Sequence, residues 1–262
     1  MTMTRDTINR ISSELMEAEQ ARQPLTAASS RYPELTQDDA YAVQFATLEK
    51  RLSAGARVIG AKAGFTSKAT QEQYGVHEPV EGLLLDTILL ADGADIEFSG
   101  LIAPRMEAEI AFVLGEDLRG PNVDATRALA ATAGVRPALE IVDCRTIGWK
   151  VQATDVAADS ACGSRVVVGG SVTPIADRDL RLLGVVLEKN GELMSTGAGA
   201  AALGNPVDVV VWLANKLATF DRSLHKGDTI ITGCLVRAEP FARGDLFKAS
   251  FDRLGSVSAR IV

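Results

Sequence analysis

Arg105-Met106-Glu107-Ala108-Glu109-Ile110-Ala111-Phe112-Val113-Leu114 sets two carboxylates two residues apart in an otherwise apolar run. Successive side chains of a strand point to opposite faces, so Glu107 and Glu109 share one face with Ala111 and Val113, while Ala108, Ile110 and Phe112 line the other. Neither face reads as solvated. An ionised carboxylate in apolar surroundings needs a counter-charge, hydrogen bonds or a metal, and two side by side repel each other. A third acid stands in similar surroundings at Ala138-Leu139-Glu140-Ile141-Val142. A divalent cation held by Glu107, Glu109 and Glu140 answers both problems. An all-oxygen donor set without clustered nitrogen or sulfur suits Mg2+ or Mn2+ better than zinc. The plain alternative is a solvated strand face carrying alternating acids.

The wider composition narrows the chemistry. With 262 residues, 47% of them hydrophobic and 23% charged, the chain can bury a sizeable core as one large domain or a small domain attached to a larger one. Its formal net charge of -7, with no Lys/Arg-rich block, argues against a nucleic-acid partner. The opening from Met1 to Arg22 carries Arg5, Asp6, Arg10, Glu14, Glu17 and Glu19, so it lacks the apolar core of a signal peptide. No run is long enough to span a bilayer, and a cytoplasmic protein without a membrane partner is expected. Cys144, Cys162 and Cys234 are scattered, which fits free thiols in a reducing compartment. His77 and His225 are the only histidines, which excludes a histidine-rich metal site and gives a Ser-His-Asp triad little support. The chemistry is therefore expected to rest on carboxylates, lysine and metal.

Two textures divide the chain. In residues 1–56, Ile8, Ile11, Leu15 and Ala18 fall at helical spacing, and Thr36-Gln37-Asp38-Asp39 reads as a capping box opening a second helix through Tyr41, Phe45, Leu48 and Leu52. Residues 57–262 are rich in strands, at Val58 to Gly64, Glu107 to Leu114, Arg165 to Gly170 and Leu183 to Glu188. Asn205-Pro206 opens a helix through Trp212, Leu213 and Leu217. The last forty or so residues, with turns at Lys226-Gly227-Asp228 and Arg243-Gly244-Asp245, are expected to form a meander.

Other polar residues stand out. Lys62, between Ala61 and Ala63, would need an anion if buried, such as a substrate carboxylate or one of the acids; alternatively it reaches water along its stem. Arg145, shortly after Glu140, is placed to pair with an acid or to hold a substrate carboxylate through its two-pronged guanidinium. Thr66-Ser67 and Ser195-Thr196-Gly197-Ala198-Gly199 read as loops able to line an anion site, without fitting the Walker or Rossmann patterns.

Taken together, Lys62-Ala63-Gly64-Phe65-Thr66-Ser67, Gly75-Val76, Glu107 to Val113, Ala138 to Asp143, Ser195 to Ala201 and Leu254-Gly255-Ser256-Val257 resemble the 2-oxopent-4-enoate hydratase and 4-oxalocrotonate decarboxylase family. That family lies within the fumarylacetoacetate hydrolase-like superfamily. The resemblance implies an α+β fold, a mixed β-roll core behind a small N-terminal helical region. It also implies Mg2+ or Mn2+ on Glu107, Glu109 and Glu140, Lys62 at the substrate, a small 2-oxo or 2-hydroxy dienoic acid as substrate, and assembly as a homo-oligomer. Hydratases of the family typically carry Pro-Asp-aromatic-Gly where this chain has Pro79-Val80-Glu81-Gly82; an aliphatic residue at the Asp position is decarboxylase-like. Asp143 to Lys150, Ser195 to Pro206 and Val211 to Asn215 look more like hydratases. Ser160 and Cys162 replace the Asn and Ser of the usual Ala-Asp-Asn-Ala-Ser and bear on substrate choice.

The resulting expectation is a hydratase with Lys62 and Glu81 as catalytic groups, Glu78 being a second candidate for the base. Thr66, Ser67, Arg145, Ser160, Cys162 and Thr196 would contact substrate. Decarboxylation of a 2-oxo-hexenedioate is the alternative. Hydrolysis of a C–C bond, for which only His77 could complete a His-acid pair, and a non-catalytic partner subunit are the wider ones.

Overall fold

The structure is a computed structural model, describing residues 3–175 and 178–262. Three helices come first: α1 (Arg5–Ala21), α2 (Ala28–Arg31) and α3 (Gln37–Ser53). Thr4 caps α1, and Thr36 with Asp39 forms the expected capping box on α3. Ile11, Leu15 and Ala18 are the buried stripe of α1. Lys50 ties the two long helices together, donating to the Asn9 carbonyl and to the Ser12 and Ser13 hydroxyls at 2.8–3.1 Å.

Strands and short helices then follow in the order β1 (Val58–Gly64), α4 (Lys68–Tyr74), β2 (Val80–Leu85), β3 (Leu89–Ala91), β4 (Ala94–Ile96), β5 (Pro104–Leu114), α5 (Ala125–Ala131) and β6 (Thr132–Asp143). After them come α6 (Ala153–Ala158), β7 (Gly163–Val168), β8 (Gly184–Lys189), β9 (Glu192–Ala198) and α7 (Pro206–Ala218). The chain closes with β10 (Thr229–Ile231), β11 (Glu239–Pro240), β12 (Leu246–Phe251) and β13 (Gly255–Ile261). The larger sheet runs β2-β1-β10-β5-β6-β7-β3, with β11 pairing the start of β5; the smaller runs β4-β13-β12-β8-β9. Pairing is mixed, since β1/β10, β3/β7 and β4/β13 are parallel and the rest antiparallel. This is the α+β arrangement of curled sheets that the family resemblance implies.

The register of the larger sheet separates two faces. Ala61, Ala108, Ile110, Phe112, Leu139 and Ile141 join α7 and the smaller sheet in the main core. The opposite face carries Leu84, Ile231, Ala111, Ala138, Val166 and Val168, a smaller apolar floor. Lys62 pairs with Ile231, Ile231 with Ala111, Glu109 with Ala138 and Glu107 with Glu140, so the lysine and all three glutamates stand above that floor. The N-terminal helices form a third core with α6, Val80, Val142, Cys144 and Cys162.

Two expectations fail here. The C-terminal residues are not one meander, because β10 is buried at all three positions and enters the larger sheet between β1 and β5, whereas β12 and β13 alternate and belong to the smaller one. Ser195 to Ala198, expected as loop, lies in β9.

Candidate metal centre and active site

The long β5/β6 ladder sets Glu107 directly opposite Glu140, with Glu109 one pleat along. One carboxylate oxygen from each of the three comes within 4.8 Å of the others. Glu109 and Glu140 are 0% and 1% exposed, and Glu107 is partly exposed. Glu109 Oε2 accepts from the Gly233 amide at 2.7 Å, whereas its Oε1 is buried without a protein partner. Burial, then Glu140 and Glu107, push the Glu109 carboxyl well above the ordinary range; burial and Glu140 act on Glu107 in the same direction. Three crowded acids with an orphaned oxygen and only oxygen donors are what a hard dication fits.

Lys62 is 2% exposed and its ammonium is bonded to Glu140 and, at 2.8 Å, to the Ala161 carbonyl. Burial opposes its charge, but Glu140, Glu109 and Glu107 together raise its pKa above that of an ordinary lysine. Lys62 therefore does not reach water along its stem; it is an ammonium fixed inside the cluster. Thr66, 3% exposed, packs its side chain against Gly233, beside the amide that holds Glu109. No side chain crowds the lysine from β2 or β7: a Cβ on Gly82 would stand 3.0 Å from Lys62 Cγ, and one on Gly163 3.3 Å from Cδ.

Several expected substrate contacts lie elsewhere. Arg145 is spent on structure: Nε and Nη2 bond the Asp159 carboxylate at 2.6–2.7 Å, Nη2 the Asp159 carbonyl at 3.0 Å, and Nη1 the Asp143 carbonyl at 2.6 Å. It anchors the turn Ser160-Ala161-Cys162, whose three residues have φ of 49°, 50° and 55°, each left-handed and costing about 1 kcal/mol. That turn delivers the Ala161 carbonyl to Lys62. Ser160 contributes its backbone carbonyl against Gly82, and the Cys162 thiol meets that of Cys144 in the core under the helices rather than at the glutamates. Ser67 caps α4, accepting from the Thr70 amide at 3.1 Å. Thr196 is exposed on β9, alternating away from Gly197, which abuts Leu235.

Glu81 needs the clearest correction. In the β1/β2 register Gly82 pairs with Lys62 and Glu81 with Ala63, so the Glu81 side chain leaves the opposite face of the sheet. It is 0% exposed with both oxygens unpartnered, toward Lys216 and Arg222, and burial raises its carboxyl to about 7 against these two cations. Val80 takes the Lys62 face, its side chain touching the Gly64 position. A carboxyl whose pKa is higher in the folded than the unfolded chain stabilises the fold below the unfolded value, and that contribution is lost as pH rises to about 7. Glu81→Gln is accordingly expected to be more stable than the parent at pH 8, by up to about 3 kcal/mol, and equal to it near pH 4.5 in urea unfolding.

The groups that the sequence did not reveal are backbone ones, the Gly233 amide and the Ala161 carbonyl; of the two roles expected of Arg145 it takes the pairing with an acid, Asp159. Only the glycine after the apolar run Thr229-Ile230-Ile231-Thr232 hinted at a close approach.

Residues 62–262 match the family described as "Fumarylacetoacetate (FAA) hydrolase C-terminal". The chain belongs to the fumarylacetoacetate hydrolase family. Among relatives in this family, 4-oxalocrotonate decarboxylase of Pseudomonas sp. (strain CF600) is 40% identical over 261 residues, 100% of this chain and 99% of the relative. A 2-hydroxypent-2,4-dienoate hydratase of Pseudomonas putida is 45% identical over 219 residues, 83% and 99% of the two chains. The 2-oxo-hept-4-ene-1,7-dioate hydratase of Escherichia coli is 39% identical, covering 96% and 97%. Among solved structures, 4-oxalocrotonate decarboxylase from Pseudomonas putida G7, complexed with magnesium and adipate, superposes with a TM-score of 0.97 at 38% identity, covering 100% and 99%.

Proposed function

We propose that this chain is a divalent-metal-dependent lyase that adds water across the C=C bond of a 2-hydroxy-2,4-dienoate, or its 2-oxo-4-enoate tautomer, to give a 4-hydroxy-2-oxo acid. The observation that carries the reading is the convergence of three buried carboxylates around a lysine that is itself buried and charged. Glu107, Glu109 and Glu140 would hold Mg2+ or Mn2+, which when bound supplies Lewis acidity toward the oxygens of a 2-oxo acid. Lys62 has three N–H donors, two of them taken by Glu140 and the Ala161 carbonyl, which leaves one for the substrate. As a fixed ammonium it offsets negative charge that develops on the conjugated acid and holds a proton for return to carbon. Thr66 supplies a hydroxyl beside Glu109. Relatives named as hydratases support the choice of hydration. Assembly as a homo-oligomer accompanies the proposal, and sedimentation velocity reads it directly.

Decarboxylation of a 2-oxo-hexenedioate is the second reading. It is favoured by Val80, an apolar residue on the Lys62 face, and by Glu81 facing away, which leaves β2 without a base for water. Purified protein with Mg2+ is given 2-hydroxypenta-2,4-dienoate and, separately, 2-oxo-3-hexenedioate, with dienol absorbance and CO2 followed. Consumption of the dienoate without CO2 is expected. Release of CO2 from the diacid with the dienoate untouched would replace hydration by decarboxylation.

Among the described residues no helix is long and apolar enough to cross a membrane.

A further inference from the structure

Arg105 is two residues before Glu107 on β5 and therefore on the glutamate face, paired with Val142 as Glu107 is with Glu140. Its guanidinium lies over the Trp149 ring, 4.4 Å from the centroid, and Trp149 is itself fixed by donating from Nε1 to the Ala103 carbonyl at 2.9 Å. Among the described residues no carboxylate forms an ion pair with Arg105, in contrast to Lys62 and Arg145. Beyond Glu107 this face thus carries an indole ring and a half-buried cation that, among the described residues, lacks an acid.

A planar guanidinium held against a ring keeps its free edge for a two-pronged contact with a carboxylate. Two residues of strand separate Arg105 from Glu107, about 7 Å. A six- or seven-carbon chain whose 2-oxo end lies at the glutamates is long enough to run along this face toward Arg105. We propose that Arg105 binds a second, distal carboxylate of the substrate, so that a dicarboxylic 2-oxo-enoate is preferred over the monoacid dienoate, which the site still turns over. The inference rests on the lyase reading and deepens it. It also bears on the choice of reaction, because loss of CO2 is helped by a less polar surrounding, whereas an arginine on the distal carboxylate holds that group in place during hydration.

The probes are adipate, a diacid, and hexanoate, its monoacid counterpart, each titrated calorimetrically into the protein with saturating Mg2+. The parent is expected to bind adipate at least ~10-fold more tightly than hexanoate, and Arg105→Met to abolish that preference while leaving hexanoate within ~3-fold. Arg105→Lys, which keeps the charge without the fork, is expected to fall between. Equal binding of the two acids by the parent, an adipate preference that survives Arg105→Met, or an equal loss of both acids would each overturn the assignment. Failure of the chain to turn over any dienoate would remove the lyase reading, while the adipate preference would still judge Arg105.

Discussion

Lys62→Ala is expected to lower turnover about a thousand-fold while leaving Mg2+ affinity within a few-fold of the parent. Among the described residues the ammonium is the one buried cation in contact with the glutamate cluster, and two of its three N–H groups are taken by Glu140 and the Ala161 carbonyl, which leaves the third for the substrate. It binds no metal, and its positive charge opposes a dication, so its removal has no reason to weaken metal binding. The vacated space lies between Gly82 and Gly163, where there is no Cβ to collapse into it, so the backbone is expected to stay in place. Single-turnover kinetics beside calorimetric titration of Mg2+ separate the two effects. Unchanged turnover would remove the lysine from the reaction; a parallel loss of metal affinity would make it a structural prop for Glu140.

Glu109→Gln is expected to act in two opposite senses. Its carboxyl is pushed up by burial, Glu140 and Glu107, so the amide relieves repulsion and the metal-free protein should melt at a higher temperature than the parent. The amide still offers an oxygen to the Gly233 amide, so that local contact survives. The same change removes one of three charged oxygen ligands, and Mg2+ affinity should fall at least ~100-fold, with turnover lost by ~1000-fold or more. Thermal unfolding with and without Mg2+ reads both: the parent gains stability on adding metal and the variant does not. A variant less stable than the parent without metal would mean that the carboxylate serves the fold.

The centre of the site was legible because strand geometry is simple. Alternation places Glu107 and Glu109 on one face, and an apolar run around Glu140 marks a neighbouring strand; the β5/β6 register then needs only to bring them level. Arg145 shows where such reading stops. Its partner Asp159 is fourteen positions on, across a short helix and just before a left-handed turn, and nothing in the local pattern says that the guanidinium is wholly occupied. Glu81 fails for a different reason. Its place beside Val80 in the motif is right, but one residue along a strand reverses the face, and the pairing of Gly82 with Lys62 becomes visible only in the folded register. Thr196 and the supposed C-terminal meander depended likewise on which sheet each strand joins, a long-range matter that turns and alternation leave open.

Calorimetric titration of Mg2+ into metal-free protein, repeated in buffers of different ionisation heat, tests the shared-cation account most directly. The account predicts one ion per chain, with protons released at pH 6 because crowded carboxyls are displaced from their raised pKa values, and loss of this binding in Glu109→Gln. Binding that is absent at millimolar Mg2+ and Mn2+, or that persists unaltered in Glu109→Gln, would contradict it.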